Sequence, residues 1–497
     1  MRAGHRRPNI LWYCADAQRY DTIHALRNEV IRTPTLDRLV QQGTAFTQAY
    51  CQSPICTPSR ASFLTGRYPA TTHVYRNGNP SFPTTEVVVT KLLANAGYDC
   101  GLAGKLHLST SKKGEDRHDD GYRFFQWSMI PLPDDSDPQN AYFRWLKEEK
   151  GVDPHELYSQ HSGFCGKGVP SELHQVTWCT EMTIRFITEK RDGPWLMSIN
   201  PFDPHPPFDP PPEYFDRYKP ADMPPPLFRP GDLERQRAFL NIRQNQVEAV
   251  DPFGPMPNAA QLRADNQAAR SYKGPTQFNG QVIKAAYYAM IEHLDHQLGR
   301  ILAVLGETGQ LDNTLVVFHS DHGELLGDHG LLFKGCRFFE GSVHVPLMFS
   351  WPRRVQAGLR STALVELVDL APTLLEAAGV EVPWFMQGQS LLPLLTGRKD
   401  PSTHKDCVVC DFNDSVGYSV VQKPSQGTMT FDGRYKMVLY HREGDLGELF
   451  DLHQDPGEFD NLWDHPDWQS FKLQRMRRHI DAFMATISAG APRVAAY

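Results

Sequence analysis

The chain has 497 residues, 40% hydrophobic and 22% charged, the balance of a globular protein long enough for one large domain and a smaller one. A formal charge of −7 gives no reason to expect nucleic acid or an anionic membrane surface as a partner. Nine cysteines, odd in number and scattered, do not suggest a disulfide framework, and most are expected to be small buried hydrophobes.

Residues Met1 to Pro8 are basic and run into a short apolar stretch that ends at Asp16, too short for a secretory leader. No apolar run approaches the ~18–20 residues that cross a bilayer, so the chain as it stands is expected in the cytoplasm. Asn9 to Asp16 is instead the first of several short runs, rich in branched and aromatic residues, that end in polar chemistry. Glu86 to Ala96 reads as a helix, with Val88, Leu92, Leu93 and Ala96 on one side and Gly97 closing it. Trp195 to Asn200 is a second strand. Twelve prolines between residues 201 and 230 then impose a stiff irregular loop, and residues 251 to 280 are irregular by composition. Residues 280 to 305 place Ile283, Tyr287, Met290, Leu294, Leu298, Ile301 and Leu305 at helical steps. Thr314 to Asp321 and Val345 to Ser350 are further strands, and Val368 to Ala378 is an apolar helix closed by Gly379.

Strands buried on both faces, alternating with helices, imply an α/β sandwich with a mainly parallel central sheet and helices on both sides. In such sheets the polar residues at the carboxyl ends of strands gather along one edge, and Asp16 and Asp321 both stand at such ends. From about residue 400 the pattern changes. Cys407 to Phe412, Gly427 to Phe431, Tyr435 to Tyr440 and Glu448 to Leu452 read as short strands, with a last helix over Trp468 to Phe483. The expected division is a catalytic domain over residues 1–398 and a C-terminal α+β subdomain, a small antiparallel sheet with a helix, over residues 399–497.

Taken singly, the polar residues have ordinary explanations: Asp16 as a turn-capping carboxylate, Asp321-His322-Gly323 as a loop start, Lys105 and His107 as solvated groups. Their order and contexts say more. Cys56-Thr57-Pro58-Ser59-Arg60, continued to Thr65-Gly66-Arg67, closely resembles the signature of the type I sulfatases of the alkaline phosphatase superfamily. The plain alternative is a helix with proline in its first turn that merely holds a buried thiol. The resemblance extends through Ala15-Asp16, Gly104-Lys105-Leu106-His107, Pro204-His205-Pro206-Pro207-Phe208, Ser320-Asp321-His322-Gly323-Glu324, Phe333-Lys334-Gly335 and Leu449 to Glu458. It is weakest over residues 110–190 and 205–280, and the substrate pocket is expected from residues 110–170 and the 201–280 loops.

The resemblance implies that Cys56 is converted to formylglycine (3-oxoalanine) by a formylglycine-generating enzyme. It also implies that Asp16, Asp321, His322 and the modified Cys56 hold one divalent cation, by default Ca2+, with Mn2+ or Mg2+ open. These residue types suit a sulfate ester: hard oxygen ligands bind a cation, while Arg60, Lys105 and Lys334 offset charge that grows on the sulfate oxygens. The resemblance assigns His107 as the base that releases sulfate, with His205 or Lys334 as acid for the leaving alcohol; histidines with a free pKa of about 6.5 suit such transfers. Lys105, His205, Lys334 and Asn77 are the expected substrate contacts.

One departure bears on the ester. Many family members carry two adjacent aspartates after the first strand, whereas Ala17 stands here second, leaving Gln18 or water to fill the gap. Phosphonate and phosphate ester hydrolases of the same superfamily also use formylglycine and lack the second aspartate, and Asn77-Gly78 is similar to theirs. Lys105 and His107 follow the sulfatase pattern. The expected function is therefore sulfate monoester hydrolysis on a small-molecule or saccharide ester. Phosphonate or phosphate ester hydrolysis, or a non-catalytic sulfate- or sugar-binding role, are the alternatives. The tail Ala489 to Tyr497 could reach a neighbouring copy in a homo-oligomer.

Overall fold

The computed structural model of the chain describes residues 7–110, 114–115, 117–131, 133, 139–159, 164–242, 248–257, 275–414 and 424–488. The tail from Ala489 to Tyr497 and much of the 251–280 segment lie outside these residues.

Fourteen strands follow one another among the described residues: β1 Asn9–Ala15, β2 Thr44–Phe46, β3 Ala49–Tyr50, β4 Asp99–Gly104, β5 Tyr122–Trp127, β6 Trp195–Asn200, β7 Thr314–Ser320, β8 Leu347–Ser350, β9 Leu359–Ser361, β10 Val365–Glu366, β11 Val408–Asp414, β12 Ser425–Phe431, β13 Tyr435–Tyr440 and β14 Gly447–Asp451. Eight make the central sheet, in the order β5-β4-β6-β1-β7-β8-β2-β9. Strands β5, β4, β6, β1 and β7 run parallel, as their continuous apolar sequences imply. Strand β8 enters antiparallel to β7. No long helix lies between β7 and β8, only the turn Asp328–Gly330 and the helix Glu340–Val343, so the chain folds back beside β7 without a crossover.

Helices cover both faces. The 28-residue helix Gly280–Glu307 lies with α1 (Pro34–Gln42) and the helix Gln175–Thr188 on one side, where Leu294, Leu298 and Ile301 join Leu11, Tyr13 and Val316 in one apolar cluster. On the other side, α2 (Cys56–Thr65) and the helix Leu370–Ala377 pack with Ile10, Trp12 and Val317. Every residue of α2 is buried, and its low-amphipathicity sequence fits a helix surrounded by protein. Strands β11 to β14 form a separate antiparallel sheet flanked by the helix Gln469–Thr486. Its apolar face is continuous with the main core: Val408, Cys410, Met429, Phe431 and Val438 belong to the same cluster as Ile10 and Leu347. All nine cysteines are free, and eight are buried, as expected of small core hydrophobes. No described helix is long and apolar enough to cross a membrane.

One close approach connects the sheet to its polar edge. At the end of β4, Gly104 has φ +108°, and a Cβ there would lie 2.0 Å from the Asn200 carbonyl oxygen of β6. That bare approach lets the Lys105 N–H donate to the same oxygen at 2.7 Å. Gly104→Ala combines a backbone clash with a disfavoured dihedral and is expected to destabilise the fold by about 3 kcal/mol. Urea unfolding checks this, and an unchanged midpoint would show that β4 and β6 can separate without cost.

Candidate active site

The adjacent parallel strands β4, β6, β1 and β7 end at one edge, and their carboxyl ends supply the polar cluster. Asp16 follows β1, Asp321 and His322 follow β7, Lys105 and His107 follow β4, and His205 follows β6. Across from them stands the start of α2, whose first residue is Cys56. Pro58 is tolerated there because first-turn N–H groups have no partner inside a helix, and Gly66, at φ +67°, closes the other end.

Asp16, Cys56, Asp321 and His322 are all buried, and their ligand atoms lie within 4.8 Å of one another. The carboxylates divide their oxygens in the same way. Asp16 Oδ1 lies 3.8 Å from Cys56 Sγ and 3.9 Å from His322 Nε2, and Asp321 Oδ1 lies 3.7 Å from that nitrogen. Their Oδ2 atoms face cations instead. Arg60 Nε donates to Asp321 Oδ2 at 2.8 Å, Arg60 Nη2 to Asp16 Oδ2 at 3.3 Å, and Lys105 Nζ also donates to Asp16 Oδ2. Arg60 Nη1 completes its fork on the Lys105 carbonyl at 3.0 Å and Asn200 Oδ1 at 3.4 Å. His322 Nδ1 contacts the Gly323 carbonyl at 2.8 Å, which turns Nε2 into the cluster.

Cys56 Sγ sits in the middle, 3.2 Å from His322 Nε2 and 3.4 Å from Lys105 Nζ. Burial and the Asp16 charge push its thiol up, but Lys105, His322 and Lys334 outweigh them and bring it below the usual value. Burial likewise raises Asp16, yet Lys105, His205, Arg60 and Lys334 together hold it well below the ordinary carboxylate range. His107 is pushed well below its usual value by burial and by the Lys105 and Arg60 charges, so its ring is neutral at pH 7. His205 is pushed well down by desolvation and by Lys334. Lys334 Nζ and His107 Nδ1 are buried with no hydrogen-bond partner among the described residues.

The structure thus brings together Asp16, Cys56, Arg60, Lys105, His107, His205, Asp321, His322 and Lys334. Asn77 is exposed, and its Oδ1 accepts the N–H of Thr57, the neighbour of Cys56, at 2.9 Å at the start of α2. Ala17 places no ligand: its φ is +65° and its N–H donates to Asp321 Oδ1 at 3.0 Å. Gln18 Oε1 is buried without a hydrogen-bond partner among the described residues, while its amide nitrogen donates to Thr22 Oγ1 at 3.2 Å. Two residues that the sequence does not mark as site residues also shape the site. Ser59 Oγ donates to the Asp321 carbonyl at 2.5 Å, and Tyr287 Oη donates to the Ala17 carbonyl at 2.6 Å. The serine lies within the Cys56 motif, where its conformational role carries no separate signal. Tyr287 looks in sequence like any apolar-face residue of its helix.

A mainly parallel sheet with helices on both faces, carrying a buried cluster of carboxylates, cations and a central thiol at its carboxyl edge, defines a hydrolase of the alkaline-phosphatase-like class. The sulfatase family profile matches residues 8–380, and a profile described as N-sulphoglucosamine sulphohydrolase, C-terminal, matches residues 327–485. The chain belongs to the sulfatase family, the sulfuric ester hydrolases of the alkaline phosphatase superfamily, which generally use a metal ion and formylglycine. An arylsulfatase of Clostridium perfringens is 31% identical over 472 residues, covering 92% of this chain and 90% of its own. An N-acetylglucosamine-6-O-sulfatase of Bacteroides thetaiotaomicron is 25% identical over 516 residues, covering 95% and 85%. Among solved structures, the phosphonate monoester hydrolase of Agrobacterium radiobacter is similar at a TM-score of 0.78 and 25% identity, covering 97% of this chain and 96% of that one.

Arg60 is the group that makes two buried carboxylates compatible with folding. Arg60→Ala is expected to lower the unfolding free energy by about 3 kcal/mol, the usual consequence of leaving a buried charge unpaired. Urea unfolding in the presence of chelator checks this, and no measurable loss would show that Lys105 alone balances the pair.

Proposed function

We propose that the protein hydrolyses sulfate monoesters of small alcohols, phenols or saccharides at this cluster. The nucleophile is formylglycine made from Cys56 by a formylglycine-generating enzyme. The observation that carries this reading is the position of Cys56 Sγ, within 3.2–3.8 Å of His322, Lys105 and Asp16. A soft thiol among hard carboxylates is a poor final ligand. The sulfur stands in for the oxygens of a hydrated aldehyde, which supplies one hydroxyl to attack sulfur and a second whose deprotonation releases sulfate and restores the aldehyde.

The donor set fits one divalent cation, which would bind Asp16, Asp321 and His322 and polarise a sulfate oxygen and the nucleophile. Carboxylate-rich oxygen ligation favours Ca2+, with Mg2+ and Mn2+ also suited to it. Arg60 holds both carboxylates by their Oδ2 atoms and so turns their Oδ1 atoms toward that position. Lys105 orients the ester through a cation fixed between Asp16 and Cys56. His107, neutral and with Nδ1 free, takes the proton whose removal releases sulfate. Lys334 is the donor to the leaving alcohol, because His205, held well below its usual pKa, carries no proton to give at neutral pH. His205, neutral and with its Nδ1–H committed to the Pro206 carbonyl at 2.6 Å, lines the pocket rather than donating to the ester.

The second reading is hydrolysis of phosphonate or phosphate esters by the same groups, favoured by Ala17 in place of a second aspartate and by the likeness to the phosphonate hydrolase. Steady-state rates on matched aryl sulfate and phenyl phosphonate esters separate the two, and a higher kcat/KM on the phosphonate would reverse the order. Mass spectrometry of the peptide containing residue 56 from natively matured protein should show aldehyde; thiol alone in active protein would sink the mechanism. Cys56→Ala should fold and lose turnover, and Lys105→Ala should lower kcat on the order of 10²–10³-fold. Chelation should abolish activity, and the cation that best restores it identifies the metal.

A further inference from the structure

Outside the cluster, one other buried group has ligand-type side chains, His174, Asp203 and His293. It reads as a histidine facing a carboxylate across 3.8 Å rather than as a cation site. His174 Nδ1 accepts the Val176 N–H at 3.3 Å, which leaves the ring proton on Nε2, facing Asp203 Oδ2 at 3.8 Å with no lone pair for a metal.

Glu115 is the stronger observation. Its side chain is buried and accepts five hydrogen bonds. Oε2 takes the backbone N–H of His107 at 2.7 Å and the indole Nε1–H of Trp127 at 3.0 Å. Oε1 takes the N–H groups of Leu108 and Ser109, each at 2.8 Å, and the Ser109 hydroxyl at 3.2 Å. Three successive N–H groups thus converge on one carboxylate, an anion nest formed only where the chain leaves regular dihedrals. The departure is at His107, whose φ is +58°. A non-glycine residue stays in that region only where its surroundings over-determine it.

The other bonds to this segment hold its flanks: the Lys105 N–H donates to Asn200, Arg60 to the Lys105 carbonyl and the Thr110 N–H to the Asn79 carbonyl at 2.8 Å. Strand β4 ends at Gly104, so residues 105–109 belong to no regular element, and the Nδ1 of the His107 ring has no hydrogen-bond partner among the described residues. Trp127, the last residue of β5, anchors the carboxylate to the sheet. The chain of contacts therefore runs from sheet to Trp127 to Glu115 to the backbone of the proposed base.

We propose that Glu115 is a positioning residue for the reaction, holding His107 in its left-handed conformation beside Lys105, Arg60 and Asp16 so that the ring meets the nucleophile. The inference rests on the proton-accepting role proposed for His107. Removing Glu115 then impairs the same step as removing His107, and little else. Glutamine at this position keeps the size but replaces one acceptor oxygen by a donor, which opposes N–H groups already pointing there.

The test is a double-mutant cycle on matured enzyme with an aryl sulfate, following alcohol and sulfate separately. His107→Ala should release alcohol in a burst ahead of slow sulfate release. Glu115→Gln should show the same burst, with kcat lowered about 10- to 100-fold and KM changed less than about threefold. Combined with His107→Ala, it should slow turnover by no more than about twofold further, because the two act as one unit. Independently of turnover, amide exchange at residues 107–109 of the thiol form should quicken about tenfold or more in Glu115→Gln while α2 keeps its protection. No burst in His107→Ala overturns the role of His107 and the proposal with it. A burst there, with wild-type kinetics in Glu115→Gln or losses that multiply, overturns the proposal alone. If Glu115→Gln gives no cooperative thermal transition, Glu115→Asp, which keeps the charge and withdraws its reach, is judged by the same criteria.

Discussion

Two carboxylates buried at the ends of neighbouring strands are the constraint around which this molecule is organised. Asp16 and Asp321 follow β1 and β7, which pair along their full length from Asn9 opposite Thr314 to Ala15 opposite Ser320. Bringing two like charges so close in a dry interior is unfavourable unless cations are fixed beside them. Arg60 meets both, and Lys105 meets Asp16 a second time. Much of the surrounding architecture serves to place these cations: α2 is buried along its whole length to present Arg60, and β4 closes on β6 through a bare glycine to present Lys105.

The same arrangement explains why the site has a front and a back. With every Oδ2 committed to a guanidinium or an ammonium, each Oδ1 is left turned toward His322 and Cys56. A metal ion therefore meets carboxylate oxygens already turned toward it, and the cost of orienting them has been met during folding. The cationic excess of Lys334, Lys105 and Arg60 also sets the histidines. Burial alone would lower His107 and His205, and neighbouring positive charge lowers both further, keeping them neutral. His322 goes the other way, up to about 9, because Asp321 and Cys56 outweigh its burial.

Most of this was legible in the sequence where chemistry is carried by contiguous motifs. Cys56 to Arg60, Lys105 to His107 and Asp321 to His322 are each short segments at the end of one element, so local context sufficed to name them. Strands β1, β6 and β7 were legible from branched and aromatic residues. Strand β4 was not, since Asp-Cys-Gly-Leu-Ala-Gly has little β-propensity and its strand conformation comes from the neighbours on either side. The direction of β8 depends on what the chain does between residues 321 and 346, which no periodicity reveals. Asn77 Oδ1 accepts a backbone N–H in the first turn of α2, a contact that residue type does not announce. Glu115 and Tyr287 escaped for a common reason: they act on backbone groups of the site, and a backbone hydrogen bond leaves no mark on residue type.

The choice between esters follows from what the site can and cannot sense. A sulfate monoester and a phosphonate monoester each bring one negative charge, so the net charge of the pocket does not separate them. Losing the second aspartate at Ala17 therefore changes how the metal is held more than which anion is attracted. Discrimination has to come from the bond that breaks, since sulfate leaves its alcohol with charge moving strongly onto the bridging oxygen. Groups that meet that oxygen are worth most in the transition state. Lys334, buried with no hydrogen-bond partner among the described residues, is the group proposed to respond to that charge. A preference for sulfate would therefore be carried on the leaving-group side, by the role proposed for Lys334, rather than by the metal ligands, and Ala17 is compatible with it.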